Sequence, residues 1–160
     1  MGYIVGANPA DVLTLAELTS TGKGFGLGDR TADHLGNEYV WVVYGAGGAT
    51  VDFAVSINAD YTAVMTTNSA SFRGEQVGVA KGTALVGNYG WVQIYGRCNV
   101  QTDVATVNTL MHTTTTAGQI DDASGAGTKH IVGLVLSTAR TGSAGLAPAI
   151  LNYPTIGATN

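Results

Sequence analysis

The segment Tyr89-Gly90-Trp91-Val92-Gln93-Ile94-Tyr95-Gly96 constrains this chain most, because apolar residues alternate there with polar or small ones between glycine-marked ends. Successive side chains of a strand project to opposite faces, so Trp91, Gln93 and Tyr95 are expected on one face and Val92 and Ile94 on the other. With Gly87-Asn88 before it and Gly96-Arg97 after it, the segment reads as one bounded strand of a larger antiparallel β structure.

The remaining composition suits that reading. At 160 residues the chain is one domain's worth of sequence, and folding at this size buries roughly 68–70% of the unfolded surface, enough for a core without disulfide or metal. Charged residues make up 11% of the chain, against about 25% in an ordinary globular domain. Threonine, serine, asparagine and 23 glycines cover the surface instead, a mixture that favours strands and tight turns over long helices. The net charge of -4, with seven Lys and Arg residues scattered singly, leaves no basic stripe to neutralise phosphates, so direct nucleic-acid binding is not expected. Low charge also gives little repulsion between copies, a hint that some faces are covered by neighbours.

No run of about 18 apolar residues is present, so no membrane span is expected. The start, Met1 to Gly6, lacks the charged and apolar regions of a signal peptide, and Gly6 stands where a myristoylation pattern needs Ser or Thr. Synthesis in the cytoplasm is the resulting expectation.

Residues 1–24 read as an N-terminal arm and residues 25–160 as a single β-barrel or sandwich domain. In the arm, Asp11 is placed to cap a short helix over Val12, Leu13, Leu15, Ala16 and Leu18, yet Val12-Leu13-Thr14-Leu15 fits an extended strand equally well. Its apolar residues require packing on the same domain or on another subunit. Glu38 to Tyr44 is a β-former run, and Val51, Phe53, Val55 and Ile57 alternate as a half-buried strand after the Gly45-Ala46-Gly47-Gly48 join. That join favours a hairpin. Further strands are expected over 61–67, 76–80, 83–86, 90–97, 131–137 and 147–153, a series typical of a sandwich or barrel. Val104, Val107 and Leu110 permit one short helix near 102–110, weakened by three threonines. Thr113 to Thr116 reads as an extended edge or loop, and the tail after Pro154 as unanchored.

Residue patterns for catalysis are weak. Asp121-Asp122 sits in a turn context without the alternating oxygen ligands of a calcium loop. His34, His112 and His130 form no zinc spacing, and no cofactor or metal is expected. Gly142-Ser143-Ala144-Gly145 is not a nucleophile elbow, and Lys23 precedes a glycine rather than the Ser or Thr of a phosphate loop. Cys98 reads as a partly buried small residue at the end of the Trp91 strand. Tyr89, Trp91, Tyr95 and Tyr153 read as core or subunit-interface aromatics, with a sugar-stacking platform as the alternative.

Three stretches together resemble the head decoration, or capsid cement, proteins of tailed bacteriophages: Leu27-Gly28-Asp29-Arg30-Thr31 with Gly36-Asn37-Glu38-Tyr39-Val40-Trp41-Val42; Gly78-Val79-Ala80 with Gly90 to Gly96; and Ala117-Gly118-Gln119-Ile120-Asp121-Asp122 with Ile131 to Leu136. The resemblance covers roughly residues 25 to 153. It implies an all-β antiparallel sandwich or barrel, jelly-roll-like or β-tulip-like, with at most one short helix. It further implies a non-enzymatic homotrimer on the outer surface of the virion head, bound to the major capsid protein and bridging its capsomers. Within that picture Tyr3, Ile4, Val5, Val12, Leu13 and Leu15 are the candidate capsid-binding arm, able to add a strand to a partner's sheet edge. A glycan-binding fibre-like module and a small β-barrel hydrolase or isomerase are the competing expectations.

Overall fold

A computed structural model describes residues 7–22 and 25–159. The elements in chain order are β1 (Val12–Leu13), α1 (Leu15–Thr21), β2 (Arg30–Ala32), β3 (Glu38–Tyr44), β4 (Ala54–Ile57), β5 (Thr62–Met65), β6 (Gln76–Ala80), β7 (Tyr89–Thr102), β8 (Met111–Thr113), β9 (Ile120–Asp121), β10 (Lys129–Leu136) and β11 (Gly145–Thr159). The protein is all-β with one short helix, and the strand pairings close into two rings that share β7.

The first ring runs β7–β3–β5–β4–β6 and back to β7. Val40, Val42, Tyr44, Val55, Ile57, Val92 and Ile94 fill it. The second runs β7–β11–β10–β8–β9 and returns to β7 through the parallel contact of Thr102 with Ile120. Val100, Met111, Ile120, Ile131, Leu134, Leu136, Leu151 and Ile156 pack there. Between the rings, β4 and β6 feed both cores: Val55 and Ile57 face the first, while Ala54, Val77 and Val79 belong to the second.

Because β7 is 14 residues long, it outruns a single ring. Gly96 marks the changeover, so it does not end the strand as the sequence suggests, and Cys98 lies mid-strand. Up to Tyr95, β7 pairs with β3; from Tyr95 onward it pairs with β11. The β3 register slips between Glu38 and Tyr39, opposite Tyr95 and Gln93, which places a bulge before Gly96. Gly96 has φ +96°, and a Cβ there would stand 2.1 Å from Asn37 Oδ1, so only glycine fits without strain. Backbone groups left open at the bulge find side-chain partners. Gln93, 1% exposed, donates from Nε2 to the carbonyls of Tyr95 and Arg97, at 3.1 and 2.8 Å. Arg97 N donates to Asn37 Oδ1 at 2.9 Å.

On the outer side of the first ring, Trp41 and Trp91 lie directly opposite each other in register, with ring centroids 4.9 Å apart. Phe25 contacts both rings, and Ala7, Leu13, Leu18 and Tyr89 close over them. The N-terminal residues therefore serve as the cover of an aromatic cluster on their own domain. Val12 and Leu13 pair with Gly90 and Tyr89 of β7, and the chain then turns into α1. Thr14, not Asp11, caps that helix: Glu17 N donates to Thr14 Oγ1 while the Glu17 carboxylate accepts from Thr14 N, a reciprocal capping box. Asp11 is instead tied to Asn8 in the preceding turn.

Other departures from the sequence reading have local causes. No hairpin joins β3 to β4. The Gly45–Ala49 segment crosses to Ala84, where Ala49 and Ala84 exchange backbone hydrogen bonds, and a Cβ on Gly48 would sit 2.2 Å from the Ala84 carbonyl oxygen. β3 meets β5 in parallel instead. β4 starts only at Ala54 and is buried on both faces because it stands between two cores. Residues 83–86 contribute the single bridge at Ala84 and no strand. Residues 102–110 form no helix: Asp122 Oδ2 takes both the amide and the hydroxyl of Thr106, Asn108 has φ +57°, and Val104, Val107 and Leu110 are exposed. The tail is anchored, since β11 continues to Thr159 opposite Lys129 with Ile156 buried.

Trp91→Ala empties a fully buried site shared by three aromatic rings and is expected to cost about 3–5 kcal/mol. Gly96→Ala, which forces a side chain into the bulge, is expected to cost about 1–3 kcal/mol. Urea unfolding of the two variants against the parent chain measures both.

Candidate functional site

The outer face of the β7–β11–β10 ribbon carries a run of exposed apolar side chains. Alternation along β11 buries Ala147, Ala149 and Leu151 and leaves Leu146, Pro148 and Ile150 outside. Val135 of β10 stands opposite Ile150, which in turn stands opposite Arg97 of β7; Pro148 faces Asn99 and Leu146 faces Gln101. Residues in register point to the same side of a sheet, so Val135, Leu146, Pro148 and Ile150 form one apolar band crossed by Arg97. Leu146 is 46% and Ile150 38% exposed.

At one end of this band Tyr95 and Tyr153 stack, with centroids 5.0 Å apart and an angle of 27° between planes. Tyr153 has φ +45°, a conformation that bulky residues avoid. Its phenol is raised above the ordinary tyrosine range, first by its hydrogen bond to the Glu38 carboxylate and then by weaker desolvation. Next to Tyr95 lies an open groove of about 700 Å³ lined by Leu35, Asn37, Arg97, Ile150 and Asn152 among others.

The residues expected to matter fall in different places. Tyr3, Ile4 and Val5 lie outside the described residues. Val12 and Leu13 are half-buried in β1, while Leu15 is 59% exposed on α1. Tyr89 packs beside the tryptophans and Trp91 is fully buried, whereas Tyr95 and Tyr153 are about two-fifths exposed. The four aromatics therefore divide into two in or beside the core and two at the surface. Sequence reading did not single out Val135, Leu146, Pro148 or Ile150. The alternation that would have flagged them was present, but period two alone does not say which set of a strand's side chains faces water.

The histidines are also partly brought together. His112 and His130 are direct cross-strand partners, with ring centroids 4.6 Å apart at 85°. His34 lies elsewhere, in a hollow of about 240 Å³ with Asp33 and Tyr39. Burial would raise Asp33, but hydrogen bonds from Asn37, Tyr39 and the Leu35 amide hold its carboxyl below the usual range. That carboxylate is committed to a turn. Among the described residues, no group of three or more His, Cys, Asp or Glu is placed to share a metal ion, and no helix is long and apolar enough to cross a membrane.

The sequence matches no protein-family model and no curated protein.

Cys98 packs against the second core. Burial pushes its thiol up to about 12, with Lys81 opposing and Asp52 adding to the shift. The thiolate is the reactive form. The folded chain is therefore expected to react with a thiol-specific reagent at mildly alkaline pH far more slowly than the urea-unfolded chain, and equal labelling rates would contradict this burial.

Proposed function

We propose that this chain is a structural virion protein, a head decoration protein of a tailed bacteriophage. It acts as a homotrimer that binds the major capsid protein on the outer surface of the head and reinforces contacts between capsomers. The observation that carries the reading is the apolar band of Val135, Leu146, Pro148 and Ile150, exposed on the ribbon beside Arg97, Asn99 and Gln101. Burial of such area contributes about 25 cal/mol per Å² before ordering costs are subtracted. A shell multiplies that contribution over many copies. The likeness in sequence of the three stretches around Tyr39, Trp91 and Ile131 supports the same reading.

The arm's part in this role is narrowed by the fold. Leu13 and Leu18 are engaged by the tryptophan cluster, so shell contact by strand addition falls to residues 1–6. Deleting those six residues tests the arm while retaining Ala7, Leu13 and Leu18, which pack on Trp41 and Trp91.

A second reading, a glycan-binding module, draws on the stacked Tyr95–Tyr153 pair beside a groove that carries the Asn152 amide and the Arg97 guanidinium. Aromatic faces with nearby amides suit sugar contacts. It predicts hits on a glycan array that Tyr95→Ala removes.

Light scattering of the purified chain, followed by co-sedimentation with undecorated phage shells, tests the main reading. A trimer that sediments with shells is expected. Ile150→Asp, which places a carboxylate in the band, is expected to keep the parent's circular dichroism and melting temperature while losing trimer mass or shell binding. Leu85→Asp, at an exposed turn away from the band, is expected to lose neither. A parent chain that stays monomeric and ignores shells overturns the proposal.

A further inference from the structure

The contact between β8, β9 and β10 contains a row of three ionisable side chains. Asp121 of β9 is in register with His112 of β8, and His112 with His130 of β10. In-register partners share a face, so the row runs carboxylate, imidazole, imidazole across three adjacent strands. His112 is 4% exposed. Neither of its ring nitrogens meets a partner at hydrogen-bonding geometry, and the same holds for Asp121 Oδ1. Buried polar groups are nearly always paired, so an imidazole whose contact with the Asp121 backbone falls short of good hydrogen-bond geometry is an unusual thing to place inside a seam. The row does not gather three ligands around one point, which argues against a metal.

The flap that carries His112 and Asp121 has short ladders, and its further hold comes from Met111 and Ile120 buried in the second core and from the Lys129 amide donating to Thr113 Oγ1. β8 has 3 residues and β9 has 2. β9 meets β7 at one register position, and β8 meets β10 at two. We propose that the Asp121–His112–His130 row is an acid-operated latch, in which protonation of the buried His112 against its His130 neighbour releases the β8–β9 flap from β10 and opens the second ring at that seam. This inference does not rest on the proposed role in a phage head.

The charge logic is direct. Two imidazoles in edge-to-face contact tolerate one proton poorly and two worse, because like charges disfavour ionisation and burial adds to the penalty. Burial, then the neighbouring His130, hold His112 below its ordinary value of 6.5; the Asp121 backbone and the Asp121 and Asp122 carboxylates pull weakly the other way. Other charged groups nearby are engaged elsewhere. Lys129 sends its ammonium to the Ser71 carbonyl and over the Phe72 ring. Asp103, just past β7, accepts from the Val104 amide. Asp122 is held below the usual carboxylate range by the Thr106 amide and hydroxyl, so it stays charged while His112 titrates.

The sign follows from linkage. A group whose folded pKa is depressed leaves the opened state holding more protons below 6.5. Closure is therefore fully favoured above that value and loses ground as pH falls from it toward the lowered one. The opening equilibrium is expected to shift by about tenfold per pH unit inside that window for each proton taken up.

The test uses the full chain, labelled with nitrogen-15. Imidazole nitrogen shifts are followed through a pH titration, and amide hydrogen exchange is measured at about pH 7.5 and about pH 5, corrected for intrinsic rates. His112 is expected to titrate below an unstructured histidine, and protection at 111–113 and 129–131 to fall with pH while that of Trp91 and Val92 holds. His112→Phe, which keeps a ring against His130, is expected to abolish the pH response, whereas His34→Gln leaves it unchanged. An ordinary His112 titration, or protection at the seam that does not change with pH, overturns the proposal on the parent chain alone, whether or not the Phe variant folds.

Discussion

Everything in this fold depends on β7 serving two barrels at once. A small closed ring needs its strands tilted and twisted about a common axis, and a strand that continues into a second ring must change its aim between them. The bulge before Gly96 supplies that change. It leaves carbonyl and amide groups without ladder partners inside the protein, where an unpaired group costs about 1–3 kcal/mol. Gln93 and Asn37 meet that demand from opposite sides, one donating to two carbonyls and the other accepting an amide. The pair explains why a glutamine is 1% exposed in an otherwise apolar stretch. It also explains why the Asp33–Asn37 turn is so heavily hydrogen-bonded, since that turn fixes the Asn37 amide that the bulge requires.

With β7 held on both sides, the outer surface of the first ring becomes the next problem, because Trp41 and Trp91 project away from the barrel interior. The N-terminal residues resolve it. Two short elements suffice: β1 borrows the edge of β7, and α1, begun by its capping box, lays Leu18 over the rings. No comparable cover lies over the outer face of the second ring among the described residues. The two halves of the molecule thus handle the same requirement differently, one within the chain and the other by leaving an apolar band toward the surroundings. That asymmetry is the physical reason the assembly proposed above is assigned to the β10–β11 side.

How much of this was readable beforehand follows from the range of the interactions involved. Residues 76–80 were recognisable as a strand because their signal is local, and β7 was recognisable up to Tyr95 for the same reason. Gly96 was read as a stop because glycine ends most strands and a bulge cannot be told from a terminus without knowing the partner strands. The β3–β4 hairpin failed on a similar ground: four small residues permit a tight turn, and only the distant Ala84 decides that they cross the barrel end instead. α1 is capped three residues beyond Asp11, at Thr14, because both residue types cap helices in isolation and the pairing of Val12 with Gly90 selects the second. The histidine pair was beyond reach. His112 and His130 meet through a register set by Met111 and Ile131 in the core, and nothing in the intervening turn residues encodes it.

The scarcity of charge ties these observations together. With seven basic and eleven acidic residues in the chain, cohesion rests on apolar packing and backbone ladders, and ionic contacts act as local fasteners, as where Lys81 reaches Asp52 at 2.9 Å. Salt screens exposed charges over about 8–10 Å at ordinary ionic strength and leaves apolar burial intact. A protein built this way keeps both its fold and any contact made through the apolar band across wide changes of salt. Acid is another matter, because the proposed latch at His112 opens as it takes up a proton, and the carboxylates of Asp33 and Asp122 lose their hydrogen-bonded form at lower pH still. A surface nearly blind to ionic strength and a seam sensitive to protons are two consequences of one choice, which was to spend charge sparingly and to bury part of what was kept.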